Sequence, residues 1–445
     1  MSADQTRHYF DELVNWASAR LASTETLLAH LRGEQSDFAR FNHAKVRQAG
    51  SVTQQSLSLD LIDGPKHAEG SVTLTGIRSD DEARVRSLVD ELRAQRAVMP
   101  DDPYLLYSQA DTQSDRLVAG DLPSPDDALD AVATGAAGND FVGIYACGET
   151  FEGFASSHGQ RNWFSAETFN IDWSLHQRGD KATKSGYAGT HWNAPELASK
   201  LDWSVRELEA LKRPPKALPP GCYRSYLTPA AMQELMGMLS WGGFSLRSHR
   251  TKQTPLLRMV TDGAAFDASV NISEDIAGGV APDFGSGGFA RPDSISLIAG
   301  GTYDGHLVSP RSAQEYGVST NGAEDHEFPL AIAMAPGPLA TDAVVESLGT
   351  GLYVGNLWYL NFSDRAACRT TGMTRFGTFW VQDGEVVAPV NVLRFDDTAY
   401  NLLGSNLVGL TDKSEMILDA STYERRSVES LRLPGALVDD MTFTL

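Results

Sequence analysis

The sequence predicts an α+β protein of two domains, an α/β domain followed by one dominated by β-sheet, and three observations carry that prediction. In the first half, helical periodicity at residues 10–21 gives way to period-two alternation at residues 54–59. The segment KRPPKALPPG at residues 212–221 holds Pro214, Pro215, Pro219 and Pro220, too many for a helix or a central strand. Beyond it a single helix leads into Gly-rich, strand-like segments that run to the end. The expected division is an α/β domain over residues 1–213, a Pro-rich linker at 214–221 and a β-rich domain over 222–445. With 445 residues, 42% of them hydrophobic and 21% charged, the chain is long enough to bury a sizeable core.

Each element follows from local pattern. Ser2 with Gln5 reads as a capping box, and Phe10, Leu13, Val14, Ala17 and Leu21 then fall on one helical face. Residues 38–62 read as a strand meander, with Gly50 and the Asp63-Gly64 pair as its turns. A strand at 71–76 runs into Ser79-Asp80-Asp81-Glu82, expected to cap a helix carrying Val85, Leu88, Val89 and Leu92. Ser124-Pro125 starts a further helix, and residues 141–146 form the short apolar run of a central strand. Thr228-Pro229 is an N-cap and first-turn pair for a helix to about Ser240. Residues 376–390 read as strand, Asp383-Gly384 turn, strand.

Charge narrows the partners. Against 37 basic side chains stand 58 acidic ones, a net charge of −21, which repels phosphate backbones and anionic lipid and steers cationic partners favourably. The charge-poor stretch 347–363 is broken by Gly349, Gly351 and Gly355 and reads as paired strands, not a membrane span. The amino terminus lacks the basic start and apolar core of a secretory signal, so a cytoplasmic location is expected. Cys147, Cys222 and Cys368 are odd in number and far apart, which excludes a disulfide framework or a C-x-x-C knuckle and leaves buried free thiols as the expectation.

Motifs for chemistry are sparse. Zinc peptidases place two histidines one helical turn apart so that both rings reach one ion, but the closest two of the ten histidines, His30 and His43, are thirteen residues apart. His326-Glu327 is followed by Phe328-Pro329, and proline forbids the helix such a motif needs. A site assembled from His158, His176 and His191 stands against locally bonded histidines, the favoured reading. Residues 285–290, GSGGFA, match a relaxed dinucleotide fingerprint, yet Arg291-Pro292 follows where the helix must begin, so a glycine-rich turn is expected. Neither G-x-S-x-G nor a phosphate-binding loop occurs. Glu149 and Glu152 read as an acid–base pair or, preferably, a polar loop rim, and nothing near Cys368 marks it as an activated nucleophile. The aromatics Trp163, Phe164, Phe169, Trp173, Trp192 and Trp203 offer a peptide-binding surface or, for most of them, core packing.

The C-terminal half carries a resemblance. Thr350-Gly351-Leu352-Tyr353-Val354, then residues 371–381 (TGMTRFGTFWV), Gly384-Glu385 and Pro389-Val390 resemble the closing block of the TldD/PmbA (TldD/TldE) family. Arg311-Ser312-Ala313 before Tyr316-Gly317, the Pro336-Gly337 turn and Leu433-Pro434-Gly435 fall in the family's order, and residues 38–61 are similar to its opening strands. The resemblance implies a two-domain fold, dimerisation with a peptide cleft between subunits, and peptidase activity on small or unfolded peptides. TldD-type members bear zinc on a His-Glu-x-x-x-His helix and a C-terminal cysteine. Here the corresponding helix reads AAMQELMGMLS, residues 230–240, and residues 420–445 contain no cysteine. The chain therefore resembles the TldE/PmbA branch, which implies no catalytic residue, cofactor or metal of its own and zinc on a TldD-type partner. Met232, Leu235, Met236 and Leu239 are then core or interface residues. Two rival readings stand beside it: a stand-alone peptidase using Glu149, His249 or Cys368, and a homodimeric peptide-binding protein. Arg247, His249 and Arg375 are the candidate cleft residues, as basic groups able to grip peptide carboxylates in an acidic chain.

Overall fold

The computed structural model describes residues 3–177 and 181–445. In chain order the first part runs α1 (Ala3–Ser18), β1 (Thr26–Asn42), β2 (Lys45–Asp63), β3 (Lys66–Thr73), α2 (Arg78–Val98), β4 (Gln113–Val118), α3 (Pro125–Gly135), β5 (Asp140–Ser156), β6 (Arg161–His176), β7 (Ala182–Gly189) and α4 (Ala194–Ala210). The second runs β8 (Gly221–Leu227), α5 (Pro229–Ser240), α6 (Leu246–Arg250), α7 (Leu257–Thr261), β9 (Ile272–Glu274), β10 (Ile295–Ala299), β11 (Thr302–Tyr303), α8 (Pro310–Tyr316), β12 (Ala331–Met334) and α9 (Val344–Leu348). It ends with β13 (Gly351–Asp364), β14 (Arg369–Gln382), β15 (Glu385–Pro389), β16 (Arg394–Thr398), β17 (Leu407–Leu418) and β18 (Ser430–Phe443).

The first sheet is ordered β3-β2-β1-β5-β6-β4, with β7 sharing the outer edge of β6. Residues 141–146 lie in β5, in the middle of this sheet as expected. α1 lays Phe10, Leu13, Val14 and Ala17 on it, sharing a core with Val85, Leu88 and Leu92 of α2. Ser2, the expected cap of α1, lies outside the described residues.

Two details of the expected N-terminal elements are corrected. The β1–β2 turn is His43-Ala44, both with positive φ, and Gly50 lies inside β2. That turn lacks the usual Asn-Gly signal because tertiary contacts hold it: His43 Nδ1 pairs with Asp140 at 2.7 Å, and the Ala44 N–H donates to the Phe141 carbonyl. Ser79 does not cap α2, whose N-cap is Ile77. Instead the buried Asp81 carboxylate turns back to accept from Thr75 N–H, Thr75 Oγ1, Gly76 N–H and Tyr9 O–H. α3 begins on Ser124 as expected, its hydroxyl accepting from the Asp127 N–H.

The second sheet is ordered β11-β10-β9-β12-β18-β16-β14-β13-β8, with β15 on β14 and β17 on β18. β8 also pairs with β18, so β8, β13, β14, β16 and β18 close on themselves. The β14–β15 hairpin turns at Asp383-Gly384, both at positive φ, where a two-residue turn requires it. The two parts share apolar cores: Phe141 and Trp173 cluster with Tyr353, Phe379 and Leu437, and Ile62, Phe154 and Phe164 with Val280, Phe284 and Leu418. No described helix is long and apolar enough to cross a membrane.

Candidate functional site

α5 occupies the position that the resemblance gives to a metal-bearing helix. Thr228 Oγ1 accepts from the Ala231 N–H and Pro229 fills the first turn, so the helix starts where the sequence indicates. Its Met232, Leu235, Met236 and Leu239 are buried in a core with Ile272, Leu352 and Phe395. The helix carries no histidine. Cys368 belongs to the same core, and burial pushes its thiol up to about 12, which keeps it protonated at neutral pH. An apolar helix face and a neutral buried thiol do not fit a zinc ion, which needs anionic or imidazole donors.

Beside α5, one carboxylate organises a polar corner. Glu327 is fully buried at φ +52°. Its Oε2 accepts from Ser245 Oγ (2.5 Å) and the Arg247 N–H (3.0 Å), and its Oε1 from the Ser309 N–H (3.0 Å) and Oγ (3.2 Å). Ser245 and Ser309 are the N-caps of α6 and α8, so a single side chain anchors both helix starts. Against this corner, His249 stacks on Tyr303 at 4.4 Å, and the Tyr303 hydroxyl lies 3.1 Å from His306 Nδ1. Burial lowers both histidines, with the Glu327 charge acting the other way. His249 Nε2 donates to the Gly243 carbonyl at 2.7 Å. Ser245 and Ser309 both donate to Glu327, so this corner positions helices and offers no free nucleophile.

An open groove of about 490 Å³ runs along β9, β10 and β12, lined by Asn271, Ser273, Ser296, Pro336, Ser414 and Arg432 among others. Arg432 is held by Asp275. These groups offer hydrogen bonds to a peptide backbone and one guanidinium, but no acid–base pair or nucleophile.

The candidate cleft residues occupy different elements. Arg247 is exposed on α6, His249 is tied down on the same helix, and Arg375, exposed on β14, lies 4.2 Å over the Trp358 ring. Glu149 and Glu152 lie three residues apart on β5, not on a loop rim, and have separate partners. Glu152 is buried: burial pushes it up, but His30 at 3.0 Å, Arg32 at 3.4 Å and Arg425 outweigh that and leave it at about 2. Burial raises Glu149. Of the expected buried thiols, Cys147 and Cys368 are buried and Cys222 is exposed, because it sits near the start of β8 beside Thr442. His191 is locally bonded, 2.8 Å from Thr190, whereas His158 lies 3.3 Å from Thr26 across the sheet edge of β1, 132 residues away. Trp163, Phe164, Phe169 and Trp173 are core, Trp192 is half-buried and Trp203 is exposed. Residues 285–290 form a turn, Gly285 N–H to Phe289 O with Gly288 at φ +79°, and no helix follows.

Among the described residues, the group best placed to hold a cation is Asp60, His67 and Glu69, whose donor atoms lie within 4.8 Å of one another. Asp60 stands directly opposite Glu69 in the β2–β3 hairpin. The turn that sets that register is Gly64-Pro65, one residue on from the expected Asp63-Gly64 pair, which was the available signal for it. The Glu327 corner had no such signal, because its partners lie 82 and 18 residues away.

A family model described as the PmbA/TldA metallopeptidase C-terminal domain matches residues 220–445. No curated protein matches the chain by sequence. Three solved structures share the fold across both chains. TldE from Thermococcus kodakarensis has a TM-score of 0.77 at 13% identity, covering 98% of this chain and 100% of that one. A candidate modulator of DNA gyrase from Thermotoga maritima gives 0.73 at 12%, covering 98% and 99%. Another from Bacteroides thetaiotaomicron gives 0.74 at 16%, covering 100% of both. With its C-terminal half matched by the family model and its two-sheet architecture shared from end to end, the chain belongs to the PmbA/TldD family.

Proposed function

We propose that this chain is the TldE/PmbA-like, non-catalytic subunit of a TldD/TldE-type metallopeptidase. It acts in the cytoplasm with a zinc-bearing TldD-type chain in proteolysis of small or unfolded peptides, and holds the peptide by main-chain hydrogen bonds and shape. The observation that carries this reading is α5, where buried methionines and leucines stand in place of metal ligands, beside a Cys368 thiol held neutral. The groove along β9, β10 and β12 supports the holding role, since its polar groups, set among Ile272, Ile298 and Met334, can pair with a backbone without attacking it. Arg247 and Arg375 are exposed cations in a chain of net charge −21, which suits them to peptide carboxylates.

The test is elemental mass spectrometry for zinc and other transition metals on the purified, untagged chain after dialysis. The expected result is well below stoichiometric metal. Near-stoichiometric zinc that survives dialysis overturns the reading and makes peptidase activity by this chain alone the leading claim.

A further inference from the structure

The loop between β17 and β18, residues 419–429, leaves the second sheet and lies on the first. It has no regular structure, and within it only Arg426 is buried. The Arg426 guanidinium is seated on a row of three residues, Ser36 on β1, Gly148 on β5 and Thr168 on β6, which stand opposite one another on adjacent strands. Nη1 donates to Ser36 Oγ at 3.3 Å and to the Gly148 carbonyl at 3.1 Å, and Nη2 donates to the Thr168 carbonyl at 2.9 Å and to Thr168 Oγ1. Four acceptors spread over two nitrogens match a planar fork, which the single ammonium of a lysine cannot span. The backbone beside it is held as well: the Glu424 carbonyl accepts from Gln54 Nε2, and the Arg426 N–H donates to the buried Glu34 Oε2 at 3.4 Å. Between them Arg425 reaches Glu152 at 3.8 Å.

A second buried arginine gives the contrast. Arg291 is paired with Glu324 at 2.6 Å, whereas Arg426, buried to the same degree, forms no ion pair among the described residues. A guanidinium taken out of water without a carboxylate keeps most of its desolvation penalty, and burial lowers both Arg425 and Arg426 from the ordinary arginine value. Hydrogen bonds to neutral carbonyls and hydroxyls offset only part of that. The seat is therefore shaped for arginine while holding the loop with little excess stability. We propose that the Ser36–Gly148–Thr168 row is a binding site for the arginine side chain of an extended basic peptide, and that residues 419–429 are a strap whose Arg426 fills it until such a peptide takes its place. The net charge of −21 draws cationic peptides toward the chain. This site is separate from the groove along β9, β10 and β12, and the proposal does not depend on a zinc-bearing partner.

The test supplies the strap in trans, as a synthetic acetylated and amidated peptide TYERRSV, residues 422–428. Calorimetry on the full-length Arg426→Ala chain should show this peptide binding about tenfold or more tighter than to wild type, because the internal competitor is gone. Replacing the second arginine of the peptide by lysine keeps the charge but not the fork, and should weaken binding to Arg426→Ala by about tenfold or more. In the wild-type chain, the arginine peptide at millimolar concentration should raise amide hydrogen exchange across residues 419–429, and the lysine peptide should not. No binding to Arg426→Ala, equal binding of the two peptides, wild-type affinity as high as that of the variant, or strap exchange that the arginine peptide leaves unchanged overturns the proposal. The exchange measurement on the wild-type chain decides it even where Arg426→Ala fails to fold.

Discussion

Removing the Glu327 carboxylate is the sharpest perturbation of the polar corner. Four donors converge on it, two hydroxyls and two backbone amides. In Glu327→Ala the hydroxyls of Ser245 and Ser309 can rotate to other acceptors, but the amides of Arg247 and Ser309 are fixed by the starts of α6 and α8. An unsatisfied amide costs roughly 1–3 kcal/mol, so the two together cost about 4 kcal/mol. Glu327→Gln keeps one oxygen for one amide and turns an NH2 group on the other, for a loss of about 2 kcal/mol. Urea unfolding followed by tryptophan fluorescence checks both values, with the m-value unchanged. The same variants remove the negative charge that raises His249 and His306, so both rings should titrate lower by NMR. A loss below about 1 kcal/mol in Glu327→Ala would refute the argument, because amides that were truly dependent on this carboxylate could not be left so cheaply.

Glu152, held at about 2 against an ordinary 4.5, contributes stability that is present above pH 4.5 and lost as pH falls through 2; the shift corresponds to about 3 kcal/mol, and Glu152→Gln should flatten that acid limb in pH-dependent denaturation. Glu207 has the opposite sign: burial raises it to about 8, so the folded state loses stability as pH rises from 4.5 to 8, and Glu207→Gln should remove that alkaline loss. Iodoacetamide at pH 8 on the native chain should label the exposed Cys222 and leave Cys147 and Cys368 unmodified, as mass mapping would reveal. Cys368→Ala should leave peptide cleavage by a reconstituted pair within about threefold of wild type. A loss beyond tenfold without unfolding would point to a stand-alone peptidase.

Much of the fold was legible because local chemistry and tertiary structure agree there. Thr228-Pro229 and Ser124-Pro125 cap the helices they announce, and Asp383-Gly384 turns the hairpin it announces. β1 was visible only from residue 38 because residues 26–31 are buried without alternation, so no period-two signal exists there. The His43-Ala44 turn is held by Asp140, distant in sequence, and the Asp81 cap combines donors from Thr75 and Gly76 with the distant Tyr9. The site divides the same way. That α5 carries no histidine could be read directly from eleven letters. Glu327 was noticed only as part of a failed zinc motif, since its role depends on serines that folding alone brings to it. The mutual placement of Asp60, His67 and Glu69 follows from a turn that was recognised, but one whose register was not carried through to the side chains.

The central claim, that this chain assists catalysis and does not perform it, is tested most directly by peptide cleavage in three mixtures at matched concentration: this chain alone, a zinc-bearing TldD-type chain alone, and the two together. The account predicts no cleavage by this chain alone and a rate for the mixture at least tenfold above that of the zinc-bearing chain. Cleavage by this chain alone, at a rate the second chain does not change, would contradict it.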